Sequence, residues 1–255
     1  MGEAVKSADR VLRILELLTD HPEGLTLTEI RVHLDLPKSS THSLLATMTS
    51  RGFLSQDPRT RGYRVGIRLW QAGQSYLAVS DLERLALPYM ETLRDLLNET
   101  VQLAILDGTE NVYVAKVDSD QQLRLESRVG ARLPAYATGV GKALLSGLSD
   151  AGLRERFQDV TFTRFTPQTI GSYEVLAKEI ETVRATGHAT DNSEYTPGVF
   201  CVAAPIRGAQ GEVRAAISVS VPDVRKSPAF IERITAAVLE QAAAVSLRLG
   251  FSPGT

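Results

Sequence analysis

Residues 24–65 read GLTLTEIRVHLDLPKSSTHSLLATMTSRGFLSQDPRTRGYRV, and this stretch decides the architecture of the N-terminal part. Its apolar residues predict a short helix over Leu27–Leu34, broken at Asp35-Leu36-Pro37 because proline disfavours helix in the residue before it. A second helix opens at Lys38-Ser39-Ser40-Thr41-His42. Gly52 ends it, a strand follows at Phe53-Leu54-Ser55, then a charged turn at 57–62 and a return strand Tyr63-Arg64-Val65. Helix, turn, helix and a two-stranded ribbon tipped with arginines form a winged helix-turn-helix pattern.

On the second helix Thr41, Leu44, Leu45 and Met48 fall at the spacing of a buried stripe. Ser39, Ser40, His42, Ser43 and Thr47 then face outward, as short hydrogen-bonding groups suited to phosphates or base edges. Lys38 sits at the helix start, where open N–H groups and the positive dipole end favour an anion. Residues 38–68 carry Lys38, Arg51, Arg59, Arg61, Arg64 and Arg68 against Asp57, whereas residues 1–37 are net acidic. A chain of net charge −2 that gathers cations on one helix and one wing predicts a double-stranded DNA partner. The DNA-facing set expected is Lys38, Ser39, Ser40, His42, Ser43, Thr47, Arg59 and Arg61. The alternative is a winged helix used for protein contacts, its hydroxyls only capping.

The composition sets bounds. The 255 residues suffice for one large or two modest domains, and 43% hydrophobic with 23% charged residues is ordinary for a globular protein. No apolar run reaches bilayer length and MGEAVKSADR has no signal core, so a cytoplasmic chain without membrane contact is expected. The single Cys201 excludes an intrachain disulfide, and His21, His33, His42 and His188 show no paired ligand spacing, so no metal site is expected. Phosphate-cradling, dinucleotide and nucleophile-elbow motifs are missing, so neither cofactor nor catalysis is expected.

Ser7 is the expected N-cap of a first helix with Val11, Leu12, Ile14, Leu15, Leu17 and Leu18 on its apolar face. After the wing, Ile67, Leu69, Trp70, Tyr76 and Leu77 suggest a linker helix apolar on more than one side, which favours packing against another chain. A longer helix is expected from Asp81. Strands follow at Val101–Leu106, Val112–Val117 and, by its alternation, Leu123–Ser127. Residues 130–138 read as a loop. Helices are expected at Gly139–Gly147, Ser149–Phe157 and Tyr173–Thr186, strands at Val199–Ile206 and Val213–Val221, and a last helix at Ile231–Leu249. This pattern is a mainly α N-terminal domain (1–66), a linker helix (67–80) and an α+β sensor-like domain with an antiparallel sheet (81–255). Ser218 and Ser220 share one strand face and interrupt an apolar run. They line a polar site or bond neighbouring backbone. A helix starting at Thr138-Gly139 can offer N–H groups to an anion.

With both halves read, the chain resembles the IclR family of bacterial transcriptional regulators. SADRVLRILELL, LTLTEI…LPKSSTHSLLATMTSRGFL and RGYRVGIRL look like that family's winged helix. RVGARLPAYATGVGKALL, GHATDNSEYTPGVFCVAAPIR and AAISVSVP look like the signatures of its C-terminal domain. The chain departs from them at Ser193 and at Ala135-Tyr136. The resemblance implies a GAF-like C-terminal fold, a homodimer or homotetramer, and a small organic acid effector of a ligand-responsive regulator. Carried over by position, it implies effector contacts at Gly139, Val140, Asp191, Cys201, Ser218 and Ser220. Thr138 stands at the helix start, and Leu123 and Leu125 as apolar walls. Other readings stay open: Asp191 as a turn residue, Cys201 as a buried hydrophobe, or Cys201 with His188 as a hydrolase pair.

Overall fold

The computed structural model describes residues 5–79, 82–125 and 127–252. The chain divides into two compact units, 1–81 and 82–255.

In the first unit α1 runs Lys6–Asp20, α2 Leu27–Leu34 and α3 Lys38–Ser50. Val5 precedes α1 without a side-chain cap, and Ser7 lies inside the first turn rather than capping it. The start of α2 is sharply defined: Thr26 and Glu29 form a reciprocal capping box, with the Thr26 N–H donating to the Glu29 carboxylate at 2.7 Å. Asp35 then adopts a left-handed conformation and Leu36 is buried, which turns the chain into α3. Strands β1 (Leu54–Gln56) and β2 (Tyr63–Val65) pair antiparallel, with Ser55 opposite Arg64. Ile14, Leu18, Ile30, Leu45, Met48, Leu54 and Tyr63 make the core beneath them. Helix α4, Ile67–Val79, exposes Ile67 and Trp70. The side chains of Tyr76 and Leu77, and the residue Asp81, lie outside the described residues.

In the second unit α5 (Leu82–Leu97) leads into β3 (Thr100–Asp107), β4 (Glu110–Val117) and β5 (Arg132–Pro134). Helices α6 (Gly139–Leu145), α7 (Asp150–Phe157) and α8 (Tyr173–Thr186) follow. Strands β6 (Ala189–Asn192), β7 (Val199–Arg207) and β8 (Val213–Pro222) and helix α9 (Pro228–Arg248) complete it. Among the described residues the strands form one antiparallel sheet in the order β5-β4-β3-β8-β7-β6. One face, with Val101, Leu103, Val202, Ile217 and Val219, packs on α5 and α9. On the other, Ala104, Ala203 and Ala216 are small, so α6 lies close against them. No helix among the described residues is long and apolar enough to cross a membrane.

Two differences from the pattern reading matter. Among the described residues of the alternating stretch Leu123–Ser127, which are 123–125 and 127, none is in a strand. Arg132–Pro134 takes the edge of β4 instead, after Gly130 turns the chain at positive φ with its N–H on the Tyr113 carbonyl. Part of the expected loop at 130–138 is therefore strand β5 and a short 3-10 turn. The second difference is a bulge between β3 and β4. Leu103 pairs Ala115 but Ala104 pairs Tyr113, so Val114 is the extra residue. A bulge shifts the alternation of faces by one. Tyr113 and Lys116, three apart, thus share the face that carries Ala104 and Gln102.

Candidate functional site

The start of α3 is open. Pro37 provides no side-chain cap, and the first N–H returned to the helix is that of Thr41, on the Pro37 carbonyl. Lys38, Ser39, His42, Ser43 and Thr47 are exposed, while Ser40 is half-buried at the edge of the stripe. The hydroxyls of Ser40, Ser43 and Thr47 donate to the carbonyls of Pro37, Ser39 and Ser43 at 3.0, 3.2 and 2.9 Å. Their outward lone pairs therefore suit donors such as base amino groups. The wing tip is rigid: the Asp57 carboxylate accepts the N–H groups of Arg59 and Thr60, which holds its pKa below the usual range, Thr60 first. Arg61, at φ 60°, and Arg59 project into solvent. Arg64 is different; its Nε donates to the Glu23 carbonyl and braces the wing.

In the second unit, a cavity of about 540 Å³ opens where the sheet face turns polar beyond α6. Opposing residues place Asp191, Cys201, Ser220 and Thr100 in one row across the strands, and Ala203, Ser218, Gln102 and Lys116 in the next. Ser218 and Ser220 both donate to the Gln102 Oε1, at 3.2 and 2.9 Å, so they bond a side chain rather than the backbone. Cys201 Sγ lies 3.2 Å from the Ser220 hydroxyl, and burial pushes its thiol pKa well up. Such a thiol is a poor nucleophile. Thr138 caps α6, accepting the Gly141 N–H, which leaves Gly139 and Val140 as the first helical residues at the cavity wall. Leu125, Thr138, Gly139, Val140, Asp191, Cys201, Ser218 and Ser220 all line the cavity. Leu123 does not; it is 57% exposed and is not in a strand.

Behind the cavity lies a buried ion cluster that the sequence reading missed. Lys142, on α6, is 1% exposed and donates to Glu194 at 2.6 Å and Glu179 at 3.1 Å. Burial raises the Glu194 pKa, with Lys142 opposing. The Glu194 N–H in turn donates to Asp191 Oδ1 at 2.7 Å, so the lysine anchors the loop that holds Asp191. Burial is also the main reason the Asp191 pKa rises to about 7; the Glu194 N–H lowers it and the Glu194 charge raises it. The native state keeps that proton through the window from about 4 to 7, where the unfolded chain has lost it. Stability therefore falls as pH rises through this window. Asp191→Asn removes the titration and keeps an acceptor for Glu194. It is expected to raise the melting temperature at pH 8, by an amount that shrinks toward pH 5. Parallel pH–melting curves for the two proteins would contradict this.

A winged helix-turn-helix in one chain with an α+β domain around a polar cavity defines a DNA-binding transcriptional regulator. Residues 7–58 match the IclR helix-turn-helix domain and residues 74–247 the C-terminal domain of bacterial IclR transcriptional regulators, so the chain belongs to the IclR family. It is 35% identical to the HTH-type transcriptional regulator BhcR of Paracoccus denitrificans, covering 98% of this chain and 88% of that one. A Rhodococcus sp. RHA1 crystal structure superposes with a TM-score of 0.84 at 30% identity, over 96% of this chain and 98% of that one. An IclR homologue from Microbacterium hydrocarbonoxydans, complexed with 4-hydroxybenzoate, gives a TM-score of 0.84 at 26% identity, over 95% and 98% of the two chains. The family consists of regulators, not enzymes.

Proposed function

We propose that this regulator reads operator DNA through α3 and the wing, and that a small organic acid in the cavity sets its DNA affinity and controls a catabolic operon. The observation that carries the effector half is the polar patch of Asp191, Cys201, Ser218 and Ser220, which line the cavity where the sheet face changes from the alanines under α6 to polar side chains. Buried polar groups persist where they have partners. The acid's carboxylate meets the α6 start at Thr138, Gly139 and Val140, and a hydroxyl or amine meets Asp191, with Leu125 as an apolar wall. The 4-hydroxybenzoate held by the Microbacterium relative, a carboxylate with a hydroxyl, has this chemistry. The division of labour is 1–66 for DNA, 67–80 as linker and 81–255 for the effector. The protein acts in the cytoplasm as a homodimer or homotetramer, because one winged helix offers a small footprint and paired half-sites restore specificity.

The DNA half rests on Lys38, Ser39, Ser40, His42, Ser43, Thr47, Arg59 and Arg61. Fluorescence anisotropy with the gene's own upstream DNA tests it. Arg59→Ala with Arg61→Ala is expected to weaken binding to all sequences and to flatten the log–log salt slope by roughly one unit per lost phosphate contact. An unchanged slope removes the wing from the interface. Ser218→Ala should weaken effector binding by about 1–3 kcal/mol with effector-free DNA affinity unchanged; intact effector affinity places the effector elsewhere.

A further inference from the structure

A hydroxyl has one proton to donate and lone pairs to receive others. On the polar wall of the cavity the protons are already committed to the protein. Ser218 and Ser220 both donate to the Gln102 Oε1, at 3.2 and 2.9 Å. Ser220 has no second proton, so in its 3.2 Å contact with Cys201 the thiol is the donor. Thr138 donates to the Asn111 Oδ1 at 2.7 Å and accepts the Gly141 N–H at 3.1 Å. These four side chains line the cavity, and what remains to them for a ligand is lone pairs. Gln102 sets the direction. It is buried on β3, in register with Ser218. Its Nε2 donates to the Ser127 hydroxyl at 3.1 Å, which turns the amide oxygen to the two serines. Lys116, opposite Gln102 on β4, has its ammonium on the Ser127 carbonyl and 2.8 Å from Asp118. The Tyr113 hydroxyl, also at the cavity, donates or accepts as a ligand requires and adds no bias.

A wall of this polarity selects. A carboxylate or ether oxygen set against it brings lone pair to lone pair, and an apolar chain leaves buried acceptors without a donor, whereas an O–H group pairs with each. The two serine hydroxyls reach a single oxygen atom, so they are close enough for one short carbon chain to meet both. We propose that Gln102 fixes the donor–acceptor polarity of this wall, and that the effector is a small polyhydroxy acid with at least two hydroxyl groups that donate to Ser218 and Ser220. This rests on the cavity being the effector site; it adds what the ligand carries beyond its carboxylate, and it makes Gln102 a positioning residue that acts through the serines.

Matched acids test it on the full-length protein: glycerate and lactate against propanoate, threonate against butanoate, and gluconate against hexanoate. Calorimetric affinities are read at pH 8, above the Asp191 pKa of about 7, so that Asp191 too is an acceptor. At least one polyhydroxy acid is expected to bind about tenfold more tightly than its deoxy parent. Gln102→Leu frees both serine protons and should bring that ratio down to about threefold or less. Gln102→Glu keeps acceptor oxygens for the serines and should keep the preference, which a purely structural role for Gln102 does not require. Ser218→Ala removes a hydroxyl and little else, and decides the matter if Gln102→Leu does not fold. It should weaken the polyhydroxy acid about tenfold and leave the deoxy acid within about twofold. Deoxy acids binding as tightly as their hydroxylated partners, a Ser218→Ala protein that weakens both equally, or a preference untouched by Gln102→Leu overturns the inference while the effector site stands. Binding of none of these acids overturns it together with the organic-acid reading.

Discussion

Replacing Lys142 by methionine is expected to lower the melting temperature of the C-terminal unit by about 6–20 °C. Removing one partner of a buried ion pair costs about 3–5 kcal/mol, and each kcal/mol shifts a unit of this size by about 2–4 °C. Methionine replaces most of the lysine stem, so the loss is mainly one of charge. The cost falls unequally on the two glutamates. Glu179 is 34% exposed and can turn to water, whereas Glu194 is 11% exposed with Oε2 buried and without a partner. Glu194 must then take up a proton to remain in place. Burial already raises its pKa above the unfolded value, so the penalty is present at neutral pH and relieved as pH falls toward 5. Lys142→Met with Glu194→Gln should recover part of the loss, a coupling expected of groups in contact. Because the Glu194 N–H holds Asp191, effector affinity should fall even at temperatures where the protein is folded. Scanning calorimetry at pH 7 and pH 5 checks this; a Lys142→Met protein melting within 2 °C of the parent at pH 7 would sink it.

The helix-turn-helix was legible because its signals are local. The Pro37 break and the Thr41, Leu45, Met48 stripe each act within a few residues. The sheet was less so. The alternation of Leu123 and Leu125 satisfies a strand pattern, but pairing is a competition for the edge of β4, and Arg132–Pro134 occupies that edge. Strand β6 was overlooked because its Thr190-Asp191-Asn192 is polar, and only its pairing with β7 makes it a strand. Lys116 was invisible as a cavity residue for a similar reason: strict alternation puts it opposite Tyr113, and one bulged residue reverses that. The polar wall of the cavity came from the family resemblance together with the spacing of Ser218 and Ser220. The partner of those hydroxyls, Gln102, lies over a hundred residues away in sequence. No short-range pattern carries that contact.

Alanine at Gly141, one residue past the part of α6 that lines the cavity, should be a damaging single methyl group. In a helix interior, glycine to alanine normally stabilises by about 1 kcal/mol. Here the added carbon would overlap the Ala135 carbonyl oxygen and Cα and come within 2.6 Å of the Thr138 hydroxyl. Backbone atoms cannot rotate away, so the 3-10 turn at Ala135–Ala137 must move relative to α6. That movement breaks the Thr138 cap on the Gly141 N–H and disturbs the Thr138 hydroxyl bond to Asn111 at 2.7 Å. Overpacking of this kind costs about 1–3 kcal/mol or more, and a lost cap about 1 kcal/mol. These outweigh the helix gain, for a net loss of about 1–3 kcal/mol and a melting temperature lower by roughly 2–12 °C. Effector affinity should fall further, since the displaced segment carries the helix start to which the proposed function assigns the acid. Gly139→Ala is the control. Its new carbon meets the Asp191 nitrogen at 3.3 Å, which a shift of a few tenths of an ångström relieves. Gly139→Ala should therefore melt close to the parent while Gly141→Ala does not. A Gly141→Ala protein as stable as the parent would mean that this turn yields freely, and the cavity wall would lose its claim to be preorganised.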